Sequence, residues 1–179
     1  KREKNMSFQV EGKVAVVTGG SSGIGLAAVE ILVAEGAKVA WCGRDEQRLA
    51  ESKNYILEKY TQAHIFTQAC NVLDKQDVKR FVQQVNQNLG NVDMLINNAG
   101  QGRVSNFEDT QDEDWMKEIE LKNFSVLHPV RAFLDDLKNS ACGSITNVNS
   151  LLALQPEPHM IATSSARAAL LNLTHSLAH

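Results

Sequence analysis

The chain has 179 residues, 43% hydrophobic and 22% charged, which suits one folded domain rather than a disordered or fibrous chain. Its 18 Lys and Arg against 21 Asp and Glu leave a net charge of −3, too little positive charge for phosphate-backbone binding, so no nucleic-acid partner is expected. No apolar run approaches the roughly 20 residues of a membrane span. The three cysteines, Cys42, Cys70 and Cys142, are odd in number and lack CxxC spacing, and the basic start leads into no apolar signal segment. A cytoplasmic globule without a disulfide framework, metal site or membrane partner is the expectation.

Residues 13–18 are short, β-branched and closed by glycines, and read as a strand buried on both faces. A helix comes next, with Ile24, Ala27, Ala28, Ile31 and Leu32 as its apolar stripe and Gly36 as its left-handed stop. Residues 38–42 form a second strand, Asp45 caps a helix running towards Tyr60, and residues 64–69 form a third strand. Asp74 opens a helix carrying Val78, Phe81, Val82, Val85 and Leu89 on one face and ended by Gly90, before a fourth strand at residues 92–97. Residues 98–143 hold a loop and one long helix, with Val126, Val130, Phe133, Leu134 and Leu137 in its stripe and Pro129 bending it. A fifth strand at residues 144–149 leads through a Pro-containing turn to a final Ala- and Leu-rich helix from about Met160.

Buried strands alternating with amphipathic helices need right-handed crossovers and give a parallel sheet covered on both faces. The predicted fold class is therefore α/β, a Rossmann-like doubly wound parallel sheet. Residues 1–10 form a flexible tail and residues 11–179 one dinucleotide-binding domain. Ligands on such sheets sit at the carboxyl ends of the strands, in the loops after Thr18, Cys42, Asn97 and Asn149. The first of these loops reads TGGSSGIG over residues 18–25, with Gly19, Gly23 and Gly25 in G-x3-G-x-G spacing between a strand and a helix. Glycines there let the backbone turn tightly and approach a pyrophosphate, whose charge the free N–H groups and helix dipole stabilise. An ordinary glycine-rich turn is the bland alternative.

With these residues the chain resembles the short-chain dehydrogenase/reductase family. The resemblance rests on residues 18–25, on Asn97-Asn98-Ala99-Gly100 after the fourth strand, and on GSITNVNS at residues 143–150, and it covers nearly the whole chain. It implies that Asn97 and its neighbours steady the central strands, and that Asn71, where the family usually has an Asp, contacts the adenine. The implied cofactor residues are Gly19, Ser21, Ser22, Gly23, Ile24, Gly25, Arg44, Asn71, Val72, Asn98, Ala99 and Gly100. An acid at the end of the second strand would accept the ribose hydroxyls of NAD and repel the 2′-phosphate of NADP. Here Gly43 takes that position and Arg44 comes next, so NADP is expected, with NAD possible. Arg44 as a solvated residue beside the Asp45 cap is the alternative.

The family reduces carbonyls with a Ser that polarises the substrate, a Tyr that donates the proton, a Lys four residues on, and an Asn on the preceding helix. In this chain Ser150 matches the Ser, but Thr163 stands at the Tyr position, Arg167 at the Lys position and Lys122 at the Asn position, with Asn123 next to it. An aliphatic hydroxyl cannot be brought near a working pKa as a phenol can, and Thr is shorter, so Thr163 is a poor acid. Arg167 keeps a positive charge without an ammonium's compact contacts. Tyr55 and Tyr60 lie far away, on the helix after the second strand. His159 is a candidate donor or a polar loop residue, and Lys122 either faces the site or points to solvent. Trp115, Met116 and Met160 read as packing residues.

The resemblance also implies two further parallel strands and a substrate-covering segment after the last helix. A sheet ending on the fifth strand would expose an apolar edge, so a longer natural protein is expected. It implies a homodimer or homotetramer built on the long helix and the final helix, where Ala166 and Ala169 allow close approach. The leading functional reading is an NAD(P)-dependent oxidoreductase acting on a small carbonyl or alcohol with an atypical proton donor. An inactive dinucleotide-binding sensor or subunit is the second, and a structural partner that binds no nucleotide the third.

Overall fold

Residues 9–178 are described by the computed structural model. Strand β1 (Val14–Thr18) is buried at every position, as its unbroken β-branched run requires of a strand covered on both faces. It pairs in parallel with β2 (Lys38–Gly43) on one side and β4 (Met94–Asn97) on the other; β3 (Ile65–Ala69) and β5 (Ser144–Asn147) complete the order β3-β2-β1-β4-β5. The chain therefore reverses its direction of winding between β1 and β4. The register pairs Thr18 with Cys42 and Asn97, and Asn97 with Asn147, aligning the strand ends along one rim. This is the switch-point crevice where doubly wound sheets bind ligands.

One face of the sheet carries Val17, Val39 and Trp41, packed by Val29 and Val33 of α1 (Gly23–Ala34) and by Leu49 and Ile56 of α2 (Glu46–Lys59). The other carries Val16, Ala40 and Leu95, packed by Phe81 and Val85 of α3 (Lys75–Leu89) and by Val130, Phe133 and Leu170. Asp45 and Asp74 cap α2 and α3 as expected: Asp45 accepts the Arg48 N–H at 3.0 Å, and Asp74 those of Gln76 and Asp77 at 2.7 and 3.1 Å. Gly36 and Gly90 adopt φ of +83° and +98° where the first and third helices stop.

Several expectations need correction. In α1 the buried residues are Gly25, Val29 and Val33, whereas Ile24 and Ile31 are 69% and 54% exposed. Gly25 lies so close to the preceding turn that it fixes the rotation of the helix, and Ile24 is left at the mouth of the ligand crevice. The single long helix is four pieces: α4 (Asp112–Ile119), a π-helical turn (Glu120–Phe124), α5 (Ser125–Ala132) with Pro129 inside it, and α6 (Leu134–Asn139). A π turn inserts one residue and rotates the helix beyond it, which a uniform 3.6-residue period cannot anticipate. Lys13, His64, Val92, Asp93, Val148 and Asn149 fall outside the strands, although the Asp93 and Val148 N–H groups still bond Val14 and Asn97.

Met116 is 63% exposed, so it is not a packing residue. At the sheet edge the exposed residues of β5 are Ser144 and Thr146, so the edge expected to be apolar is polar. Of the supposed tail, residues 1–8 lie outside the described residues, but Val10 packs on the core and its carbonyl accepts the Lys13 N–H at 3.0 Å. In the final helix α7 (Ile161–Leu177), Ala166 is 1% exposed and faces the fold's own interior, whereas Ala169 is exposed, as are Ser165 and Ala168. Among the described residues no helix is long and apolar enough to cross a membrane.

Candidate active site

The turn after β1 is built from residues that few substitutions could replace. Gly19 and Gly23 have φ of +67° and +54°, and a Cβ on Gly25 would lie 2.2 Å from the Gly19 carbonyl. The turn is tied to the end of β4. Thr18 Oγ1 accepts the N–H groups of Asn98 and Ala99, each at 3.1 Å, while Asn98 Nδ2 donates to the carbonyls of Thr18 and Gly19 at 3.2 and 3.0 Å. Asn97 Nδ2 donates to Asn147 Oδ1 at 2.9 Å and so joins β4 to β5.

A cavity of about 900 Å³ opens along this rim. Gly19, Ser21, Ser22, Gly23, Ile24, Arg44, Asn71, Val72, Asn98, Ala99 and Gly100 all line it. Gly25 is the exception: it serves packing of the turn. Sequence reasoning missed Arg48, Cys42, Cys70, Gln101 and Leu121, which line the cavity as well. Arg48 carried a legible signal, since it stands one helical turn after Arg44. Asn71 Oδ1 accepts the Leu73 N–H at 3.2 Å, so its oxygen shapes the loop and its amide nitrogen is the group left for a ligand. His128 Nδ1 lies 3.1 Å from the Val72 carbonyl and braces the same loop from α5.

At the second strand's end, Asp45 is occupied by its cap bond and by an ion pair with Arg48 at 3.5 Å. Among the described residues the exposed Arg44 side chain has no hydrogen bond or ion pair, so its guanidinium stands free on the cavity wall.

Of the four positions expected to carry catalysis, Thr163, Lys122 and Arg167 lie together around Glu118, and none of the four lines the cavity. Thr163, 1% exposed, donates its hydroxyl to Glu118 Oε2 at 2.6 Å and accepts the Arg103 N–H at 3.3 Å. Lys122 is 2% exposed, which corrects the solvent-facing reading; its ammonium pairs with Glu118 Oε2 at 3.1 Å and donates to the carbonyl of Gln101. Burial pushes the Lys122 ammonium below its ordinary value, and the Arg167 charge adds to this, while Glu118 opposes both.

Arg167 donates to the Val148 carbonyl at 3.0 Å and reaches Gly100 at the cavity edge. Its Nε is buried without a partner, and burial lowers its pKa, with Glu118 opposing. Ser150 Oγ accepts the Leu152 N–H at 3.3 Å. His159 is exposed, its Nδ1 3.9 Å from Glu157, and does not line the cavity. Tyr55 bonds Glu30 at 2.8 Å, away from the centre. Glu118 was not anticipated, although its spacing of four from Lys122 on a helix was a readable ion-pair signal. Among the described residues no group of three or more His, Cys, Asp or Glu side chains could hold a metal.

A family model described as short chain dehydrogenase matches residues 13–179. The chain belongs to this family. An NADPH-bound short chain oxidoreductase from Pseudomonas aeruginosa PAO1 that contains an atypical catalytic centre is 53% identical, with a TM-score of 0.91 over 92% of this chain and 64% of that one. The L-sorbose reductase of Gluconobacter frateurii, solved with NADPH and L-sorbose, is 32% identical, with a TM-score of 0.91 over 97% of this chain and 65% of that one. Among curated relatives, an uncharacterised oxidoreductase of Staphylococcus saprophyticus is 33% identical over 94% of this chain and 72% of the relative. The chain thus spans about two thirds of the length of these proteins.

Proposed function

We propose that this short-chain dehydrogenase is an NADP-dependent oxidoreductase interconverting a small carbonyl and its alcohol at an atypical centre formed by Ser150, Thr163, Arg167 and Lys122. Residues 11–179 act in it as one dinucleotide-binding unit. The observation that carries the reading is the free Arg44 guanidinium on the wall of a cavity of about 900 Å³ that begins at a glycine turn. The cradle fits a dinucleotide: the turn leaves no room for a Cβ at Gly25, and no carboxylate at residue 43 repels a 2′-phosphate. The NADPH bound by the Pseudomonas and Gluconobacter proteins supports the same choice here, while NAD bound by a related Burkholderia phymatum protein keeps NAD as a second cofactor.

Bound NADPH would supply the hydride. The turn at Gly19 and Ser22 would hold the pyrophosphate, Arg44 and Arg48 the 2′-phosphate, and the Asn71 amide the adenine. Arg167, beside Gly100, would supply positive charge to the nicotinamide end, Ser150 would position the substrate oxygen, and the Lys122 ammonium would give the proton that balances the hydride. A homodimer or homotetramer is in keeping with the family resemblance; Ala169 on α7 stays exposed for such a contact.

The test is NADPH oxidation with a panel of ketones and aldehydes by the natural full-length protein, beside a Thr163→Tyr/Arg167→Lys variant. General acid catalysis contributes about 10²–10⁴-fold, so slow reduction by the wild type and a gain of up to that size in the variant is the expected result. NADPH binding without any turnover would favour a sensor or subunit role. The engagement of the Thr163 hydroxyl by Glu118 is the observation on that side.

A further inference from the structure

Two side chains that are charged at neutral pH are buried among the described residues, Glu118 and Lys122, and they face each other at the candidate centre. Burying a charge is costly unless it is paired, so an unpaired Lys122 would not persist as an ammonium beside Arg167. The pair is joined by Thr163, and one carboxylate oxygen, Glu118 Oε2, receives both the hydroxyl at 2.6 Å and the ammonium at 3.1 Å. Thr163 and Lys122 are two of the three catalytic positions at which the chain departs from the family pattern. Glu118 itself does not line the cavity that begins at the glycine turn.

We infer that Glu118 is a positioning residue of the atypical centre: its carboxylate turns the Thr163 hydroxyl inward and supplies the counter-charge for Lys122. The inference rests on the reading of these residues as a reducing centre. Thr163 has one hydroxyl proton, and while Glu118 accepts it that proton cannot reach a substrate. Lys122, in turn, spends one proton on Glu118 and one on the Gln101 carbonyl, so the pair ties the cavity-lining segment around Gln101 to α4. The charged groups facing Lys122 are Glu118 from α4 and Arg167 from α7. Arg103, on the connecting segment, is taken up by Asp114 at 2.6 and 2.9 Å. Glu118 is thus the negative charge that offsets two neighbouring cations.

The role is read by NMR titration of the Lys122 side chain in lysine-labelled, cofactor-free protein. Glu118→Gln keeps the size and the acceptor for Thr163 but removes the charge, and it should lower the Lys122 midpoint by about one to three pH units. Thr163→Val, which removes the hydroxyl alone, should leave that midpoint in place, and Glu118→Asp should restore most of it. In turnover, the limb of the kcat/KM profile that tracks Lys122 should move to lower pH in Glu118→Gln while NADPH affinity stays unchanged. A Lys122 titration that does not move in Glu118→Gln, or that moves as far in Thr163→Val, would overturn the role of Glu118. Because the titration needs no cofactor or substrate, a wild type without carbonyl turnover would count against the proposed reaction and leave this result to be judged separately.

Discussion

Arg44 offers the sharpest test of cofactor choice, because its guanidinium has no partner among the described residues and its neighbour Asp45 is committed to capping α2. A hydrogen bond to a charged group contributes about 1.5–3 kcal/mol, equivalent to about 10- to 150-fold in affinity. Arg44 is exposed, so solvent screening sets the expected loss for Arg44→Ala towards the lower end, about 10- to 30-fold for NADPH. Arg48 lines the same wall and keeps part of the attraction, which is why the loss should not be total. Arg44→Asp places a negative charge against the 2′-phosphate and should lose more than the alanine variant. NADH has no 2′-phosphate, and its affinity should change by less than about threefold in Arg44→Ala. Titration of the nicotinamide fluorescence with each cofactor measures the ratio directly. Repeating it at roughly 0.05 and 0.5 M salt adds a check, since wild-type preference for NADPH should shrink as the charges are screened and that of Arg44→Ala, which keeps only Arg48, should shrink less. Equal losses for NADPH and NADH, with the same salt dependence, would refute the assignment of Arg44 to the 2′-phosphate.

Gly25→Ala would set a Cβ 2.2 Å from the Gly19 carbonyl and 2.5 Å from Asn98 Nδ2, both held by the turn. Overpacking of this kind costs about 1–3 kcal/mol, so a lower melting temperature and weaker NADPH binding are expected, and a variant that melts and binds like the wild type would contradict the packing role. Lys122→Met strands the Glu118 carboxylate in a buried site, at a cost of about 3–5 kcal/mol by chemical denaturation. Glu118→Gln/Lys122→Met should lose less than Lys122→Met alone, and losses that simply add would show the pair to be uncoupled. The Asp77 and Gln76 N–H groups hold the Asp74 carboxyl below its ordinary 3.8, so its contribution is present above that value and is lost as pH falls through the lower folded-state value. The stability gap between wild type and Asp74→Ala should therefore narrow between pH 6 and pH 2, and a gap that stays constant would refute the linkage.

Much of the architecture is local and so was legible in the sequence. The buried run of β1, the caps at Asp45 and Asp74, the stops at Gly36 and Gly90 and the stripe of α3 each depend on a few consecutive residues, and each stands where the pattern placed it. The cavity lining was legible for a related reason: strand ends of a parallel sheet must share one rim, so loops far apart in sequence converge there. What the sequence could not fix was rotation and depth. Whether α1 turned Ile24 or Gly25 towards the sheet depended on how closely the glycine turn approaches its own helix. The π turn sits where α4 and the turn itself pack against α7, and the break at Phe133 follows α5, which packs on α3 and β4; no single helical period encodes either. Lys122 reads as a surface residue from its type alone, and only the tertiary fold brings Thr163, 45 positions along the chain from Glu118, onto the same Glu118 oxygen. A buried charge is tolerated when its partner is already in place; Glu118 is a local partner, four residues before Lys122, but the burial of the pair and its contact with Thr163 come from the meeting of two helices.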